Sequence, residues 1–285
     1  MDNRPIGFFD SGLGGLTTIP YLAEQLPEEK IVYFGDTART PYGSKAVTTI
    51  RQFAMEIADF LRSNDVKMIV TACNTVSATC LDQLREKYPD IPIIGVIEPA
   101  AEKVAHLCDE TNNIGIIGTK ANISGGAYEA AIGRHKEGLS IYSEACPIFV
   151  PLIEEGIVGN EITTLSIKYY LDRFIYSNHI DTLVLGCTHY PLIRDEIDRL
   201  YPGLTIVNPS EEVIGTIESV LRERDMLAKD SSYENTFYAS DLSENFINMI
   251  NTIFEDAPFK GTLICVSSSG ANSSSTSVFM DFCEP

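Results

Sequence analysis

The sequence predicts an α/β protein made of two similar doubly wound parallel-sheet domains, related by an internal repeat, with the active site in the cleft between them. Short apolar runs that end in small or polar residues recur along the chain, most of them followed by a helix-like stretch. These runs are continuous rather than alternating, which implies strands buried on both faces by crossover helices. Landmarks then repeat in order. Thr71-Ala72-Cys73-Asn74-Thr75 ends one strand and Leu185-Gly186-Cys187-Thr188-His189 another, and each leads through a helix to a Tyr-Pro pair, Tyr88-Pro89 and Tyr201-Pro202.

In chain order the strands fall at Ile6-Gly7-Phe8-Phe9, Ile31-Val32-Tyr33-Phe34, Met68-Ile69-Val70, Ile93 to Ile97, Ile114-Gly115-Ile116-Ile117, Leu183-Val184-Leu185 and Thr205-Ile206-Val207. Helical stretches follow, such as Thr48 to Leu61 and Leu81 to Lys87. Ile6 to Gly15 is echoed by Ile114 to Gly126, and after each Tyr-Pro comes a strand and a second turn, Glu98-Pro99-Ala100 or Asn208-Pro209-Ser210. All doubly wound units share a coarse likeness, but the matched order from cysteine to Tyr-Pro favours a repeat. Taking those turns as crossings gives a discontinuous first domain, 1–98 plus 209–266, a second domain, 99–208, and a Ser-rich tail, 267–285, read as a loosely attached end.

Composition narrows the function. Lys and Arg total 21 against 40 Asp and Glu, a formal charge of -19, so a phosphate backbone is repelled and direct nucleic-acid binding is not expected. No apolar run approaches the roughly 18 residues of a membrane helix, and Met1 to Pro5 leads into no signal-peptide core. A cytoplasmic protein without membrane contact is expected. The seven cysteines are odd in number and lack disulfide-framework spacing, consistent with free thiols.

Ligands of open α/β sheets bind beyond the carboxyl ends of strands, which selects the loops Asp10 to Gly15, Asp36 to Gly43, Thr71 to Thr75, Thr119 to Asn122 and Gly186 to Tyr190. Backbone N–H groups there, with Ser11, Thr37, Asn74, Thr75, Thr119 and Thr188, suit a carboxylate ligand; each hydroxyl taken singly is also an ordinary helix cap. A dinucleotide reading of Asp10 to Gly15 is weak, because Thr17 replaces the third glycine and Asp10 would face a pyrophosphate. A metal reading of Cys187, His189 and Cys73 lacks any C-x-x-C pair. The sharper reading is chemical. Cys73 and Cys187 sit at equivalent strand ends where helix dipoles favour thiolate, so two facing units would aim both sulfurs into one cleft. A thiolate on one face of a tetrahedral carbon and a thiol on the other can invert it without a cofactor.

Gly7-Phe8-Phe9-Asp10-Ser11-Gly12-x-Gly14-Gly15, Tyr33 to Gly43 with Gly35-Asp36-Thr37-Ala38-Arg39-x-Pro41-Tyr42-Gly43, Ala72-Cys73-Asn74-Thr75, Val150 to Glu154 and Leu185 to Pro191 together resemble the signatures of bacterial glutamate racemases. Phe237-Tyr238 with the helix to Phe254 resembles that family's C-terminal end. The resemblance implies interconversion of L- and D-glutamate for peptidoglycan synthesis, two α/β domains, a homodimer, and neither pyridoxal phosphate nor metal. It assigns Cys73 as the base for D-glutamate and Cys187 as the base for L-glutamate, with Asp10, Glu154 and His189 as ionisable helpers. Ser11, Pro41, Tyr42, Gly43, Asn74, Thr75, Thr119 and Thr188 match its substrate-binding positions, Asp10 also accepting from the ammonium group. The family's Gly-Thr-x-Gly-Thr reads Gly118-Thr119-Lys120-Ala121-Asn122 here, where Asn122 can donate in place of threonine. An aspartate racemase of the same superfamily is the rival enzyme, although its first loop reads Gly-Gly-x-Gly-Pro. A binding protein, an amino-acid sensor or a restraint on DNA gyrase, is the alternative from another class. With nine residues ahead of Asp10, the extension of precursor-activated relatives is expected to be absent.

Overall fold

A computed structural model describes residues 1–229, 233–254, 260–266 and 277–281. The first unit runs through β1 (Ile6–Asp10), α1 (Ile19–Gln25), β2 (Ile31–Gly35), α2 (Val47–Ser63), β3 (Met68–Thr71), α3 (Asn74–Lys87) and β4 (Ile93–Gly95), and α4 (Ile97–Leu107) follows at the crossing. The second contains β5 (Asn113–Gly118), α5 (Lys120–Gly125), α6 (Ala127–His135), β6 (Ser140–Ala145), α7 (Phe149–Glu154), α8 (Glu161–Asn178), β7 (Thr182–Gly186), α9 (Arg194–Leu200) and β8 (Thr205–Val207). After α10 (Pro209–Glu223), the strands β9 (Asn235–Ala239), β10 (Lys260–Cys265) and β11 (Ser277–Asp281), with α11 (Glu244–Phe254) between the first two, return to the first sheet.

The repeat is written into the topology. One sheet contains the strand order β2-β1-β3-β4 and the other β6-β5-β7-β8, every pair among these eight parallel. The first strand of each unit is therefore central, and the strand carrying the cysteine lies beside it. The first sheet is extended by β9 against β2, then β10, and β11 pairs with β10 antiparallel. That strand lies within the stretch read as a tail; 267–276 and 282–285 lie outside the described residues. Strands β1, β2, β3 and β7 are wholly buried, as continuous apolar runs covered on both faces should be.

Helix α2 shows how the covering layer forms. Ile50, Ala54, Ile57, Ala58 and Leu61 recur at helical spacing and make its buried stripe. Three readings of the sequence need correction. The run Ile93 to Ile97 is not one strand, since β4 stops at Gly95 and α4 begins at Ile97, with Pro99 in the first turn where its missing N–H costs nothing. Asn208-Pro209-Ser210 is likewise a helix start rather than a free turn: the Asn208 side chain accepts from the Ser210 N–H at 3.1 Å. Helix α3 starts at Asn74, well ahead of Leu81, because the hydroxyl-rich Asn74 to Ser77 segment is buried by tertiary packing despite its modest helix propensity. Among the described residues no helix is long and apolar enough to cross a membrane.

Candidate active site

The loop after β1 is organised by Asp10. Its Oδ2 accepts from the backbone N–H of Gly12 at 3.2 Å and of Gly15 at 3.1 Å, while Oδ1 is buried with no hydrogen-bond partner among the described residues. Gly14 lets this loop meet the loop after β7. A Cβ there would lie 2.3 Å from Thr188 Oγ1 and 2.6 Å from His189 Nδ1, so no side chain fits. Thr17 fastens the approach, its hydroxyl contacting the Gly14 carbonyl at 2.7 Å and the Thr188 carbonyl at 3.1 Å.

Beyond β2, buried Asp36 gathers the next loop. It accepts from Arg39 Nε at 2.9 and 2.7 Å, from Ser240 Oγ at 2.9 Å and from the Tyr42 hydroxyl. The Thr40–Pro41 peptide is cis, and Tyr42 is buried. A Cβ on Gly43 would stand 3.1 Å from Thr119 Oγ1, and that hydroxyl is buried without a partner among the described residues. Thr119 is the residue preceding α5, and its free hydroxyl is thus available to a ligand.

Both thiols sit just past a central strand. Cys73 precedes α3, is 4% exposed, and contacts Ser11 Oγ at 3.5 Å. Burial, reinforced by the nearby Asp10 charge, pushes its thiol up to about 12, so it holds its proton. Cys187 follows β7 and faces His189, Sγ to Nδ1 3.8 Å; the other imidazole nitrogen meets Glu154 Oε1 at 3.0 Å. Burial works against a charged imidazole there, but Cys187 on one side and Glu154 on the other outweigh it and raise His189 to about 10. The two sulfurs are therefore in unlike surroundings, one beside a carboxylate and one beside a cation.

A cavity of about 30 Å³ lies between the units, lined by Ser11, Pro41, Tyr42, Gly43, Cys73, Asn74, Thr75, Thr119, Cys187, Thr188 and His189. Of the residues singled out in the sequence, Asp10 and Glu154 stand behind this wall, the first under the Ser11 loop and the second behind His189. Asn122 is turned away from it, donating from Nδ2 to the Gly186 carbonyl at 2.7 Å, so it braces the Cys187 turn. Thr40, Val150 and Gly186 complete the wall and carried no chemical signal in the sequence. Asp36 was visible there only as a strand-end acid. A larger open cavity of about 380 Å³, beside β4, α4 and α10, contains no thiol. Among the described residues no three His, Cys, Asp or Glu side chains group as a metal set.

Two thiols at equivalent ends of repeated strands, within a wall of carboxylate donors, define a racemase-type cleft of the α/β class. The profile of the Asp/Glu/Hydantoin racemase family matches residues 18–216. A glutamate racemase of Sulfurihydrogenibium sp. (strain YO3AOP1) is 42% identical over 253 residues, covering 88% of this chain and 94% of the relative. That of Chlorobaculum tepidum is 46% identical over 226 residues, 79% and 82% of the two chains. The crystal structure of glutamate racemase from Francisella tularensis subsp. tularensis SCHU S4 in complex with D-glutamate is 38% identical, with a TM-score of 0.86 over 94% of this chain and 98% of that one. The chain belongs to the Asp/Glu/Hydantoin racemase family and, within it, to the glutamate racemases.

Proposed function

We propose that this chain interconverts L- and D-glutamate by two-base proton transfer at the α-carbon, with Cys187 and Cys73 on opposite faces. The observation that carries the reading is the shared wall of the two thiols, in unlike electrostatic settings, within one cavity. Toward D-glutamate, the Cys187 thiolate removes the α-proton of L-glutamate and the Cys73 thiol delivers its own to the other face. The proton count then balances, with a thiol on Cys187 and a thiolate on Cys73, and the reverse reaction starts from that form. An imidazolium at His189, held by Glu154, stabilises the thiolate beside it. Asp10, behind the Ser11 loop, attracts the substrate ammonium through its charge, while Ser11, Asn74, Thr75, Thr119, Thr188 and the backbone N–H groups of Tyr42 and Gly43 take up the two carboxylates.

This chemistry asks for no cofactor. The two units, 1–98 with 209–266 and 99–208, close on the substrate, and the D-glutamate formed serves peptidoglycan synthesis in the cytoplasm. A homodimer is supported by an exposed stripe on one face of α8, Ile162, Leu165, Tyr169 and Tyr176, and sedimentation checks it.

The decisive measurement is loss of optical activity from L-glutamate with purified protein, in chelator and without added cofactor. Run in D2O from either enantiomer, the product should gain deuterium while recovered substrate stays protonated early in the reaction. Equal early labelling of both would indicate a single polyprotic base and reject the two-thiol route. Comparable kcat/KM for aspartate would favour the rival substrate, since a side chain one methylene shorter misplaces a carboxylate by about 1 Å, at a cost on the order of a hundredfold in rate.

A further inference from the structure

Asn74 is the first residue of α3, next to Cys73, and it lines the cavity. An amide is two-faced: its nitrogen attracts a carboxylate and its oxygen repels one. What selects the face is Tyr128, on α6 in the second unit, whose hydroxyl donates to Asn74 Oδ1 at 2.6 Å. Tyr128 is 1% exposed, and Asn74 is the hydrogen-bond partner recorded for its hydroxyl among the described residues. Turning the amide over would set N–H₂ against the hydroxyl and leave the phenolic proton without an acceptor in a buried place, at about 1–3 kcal/mol. Burial, with the Cys187 charge nearby, also holds the phenol well above its ordinary value, so that it remains a donor. The same ring reaches the other half of the site. Its Cε2 would be 3.2 Å from a Cβ on Gly186, the residue before Cys187.

We propose that Tyr128 is a positioning residue for the reaction: across the cleft it holds Asn74 with the amide N–H toward a substrate carboxylate, completing one unit's donor set only when the other is docked. This rests on the glutamate racemase reading, and a wild-type protein that does not racemise glutamate would reject both.

With an active wild type, a double-mutant cycle on kcat/KM isolates the inference. Tyr128→Phe keeps the ring and removes the hydroxyl. It should lower kcat/KM about tenfold, mainly through KM and equally for both enantiomers, and have no further effect in an Asn74→Ala background. Losses that add in the double variant, or a lower Tm with unchanged KM, would overturn the inference while leaving the function intact. Asn74→Asp tests the same bond should Tyr128→Phe fold poorly. The aspartate keeps an acceptor for Tyr128, which turns its second, negative oxygen toward the cavity, so KM should exceed that of Asn74→Ala. A KM at or below that of Asn74→Ala would also overturn it.

Discussion

Gly14 sets how closely the two catalytic loops meet. Its position leaves no room for a methyl group against Thr188 and His189, so Gly14→Ala must push the Cys187 loop outward. A shift of about 1 Å costs on the order of a hundredfold when it separates reacting atoms, and the overpacking itself costs about 1–3 kcal/mol. Kinetics of the variant should show that loss in kcat/KM, identical in both directions because enantiomers have equal free energy in water. An unchanged kcat/KM would mean that His189 tolerates displacement. His189 supplies a second test, in stability. Its folded value is raised from the ordinary 6.5 to about 10, so the native state holds a proton that the unfolded chain gives up sooner. The stabilisation is fully present below pH 6.5 and is lost as pH rises through about 10. Subtracting the Tm of His189→Asn from that of wild type at each pH should give a difference that is largest in acid and shrinks across this window. A difference that is flat with pH would show that His189 carries no extra proton in the native state.

Helix starts fix where the loops point, and α10 is a case that can be tested. Asn208 accepts from the Ser210 N–H, and its Nδ2 reaches Tyr21 Oη at 3.3 Å on α1, so the cap also ties the crossing segment to the first unit. Asn208→Ala should lower the urea midpoint by an amount worth about 1–2 kcal/mol; no change would make the cap dispensable. At this scale the sequence is legible in uneven ways. Apolar continuity exposed β1, β2, β3, β5 and β7, because a strand buried on both faces has nothing polar to interrupt it, and β8 was read from its place after the second Tyr-Pro although Thr205 is exposed. Strand β6 went unread, since Ser140 to Ala145 is half-buried along most of its length and mixes polar and apolar residues at an edge. Asn208-Pro209 and Glu98-Pro99 resemble turns because proline and asparagine mark both a turn and a helix start, and only the following packing decides. In the site, the cysteine loops were readable from their repeat. The Tyr128–Asn74 and Asn122–Gly186 bonds were not, because each joins residues more than fifty positions apart and depends on how two units dock.

The docked units leave a cavity of about 30 Å³, lined from both sides of the cleft. Contacts that cross the cleft include Thr17 to the Thr188 carbonyl, Tyr128 to Asn74, Gly14 against Thr188 and His189, and Gly43 against Thr119. Buried apolar side chains of both units, Leu13 and Leu16 with Phe149, Ile153 and Tyr190, belong to one cluster, and the chain passes between the two sheets after β4 and returns after β8. Both site thiols are buried, so entry of substrate calls for the halves to part at these contacts, a motion expected on the microsecond to millisecond scale. Thiol chemistry can report it. Cys73 and Cys187 are 4% and 6% exposed, while Cys80 lies wholly inside the first unit's core. With iodoacetamide and peptide mass mapping, Cys73 and Cys187 should react far more slowly than a free thiol, together with loss of activity. Glutamate should slow them further by holding the cleft shut, and Cys80 should stay unmodified until the protein unfolds. Labelling of Cys80 at the same rate would assign access to global unfolding instead. Rapid labelling of the two site thiols that glutamate does not change would show a cleft that stands open, with these contacts too weak to close it.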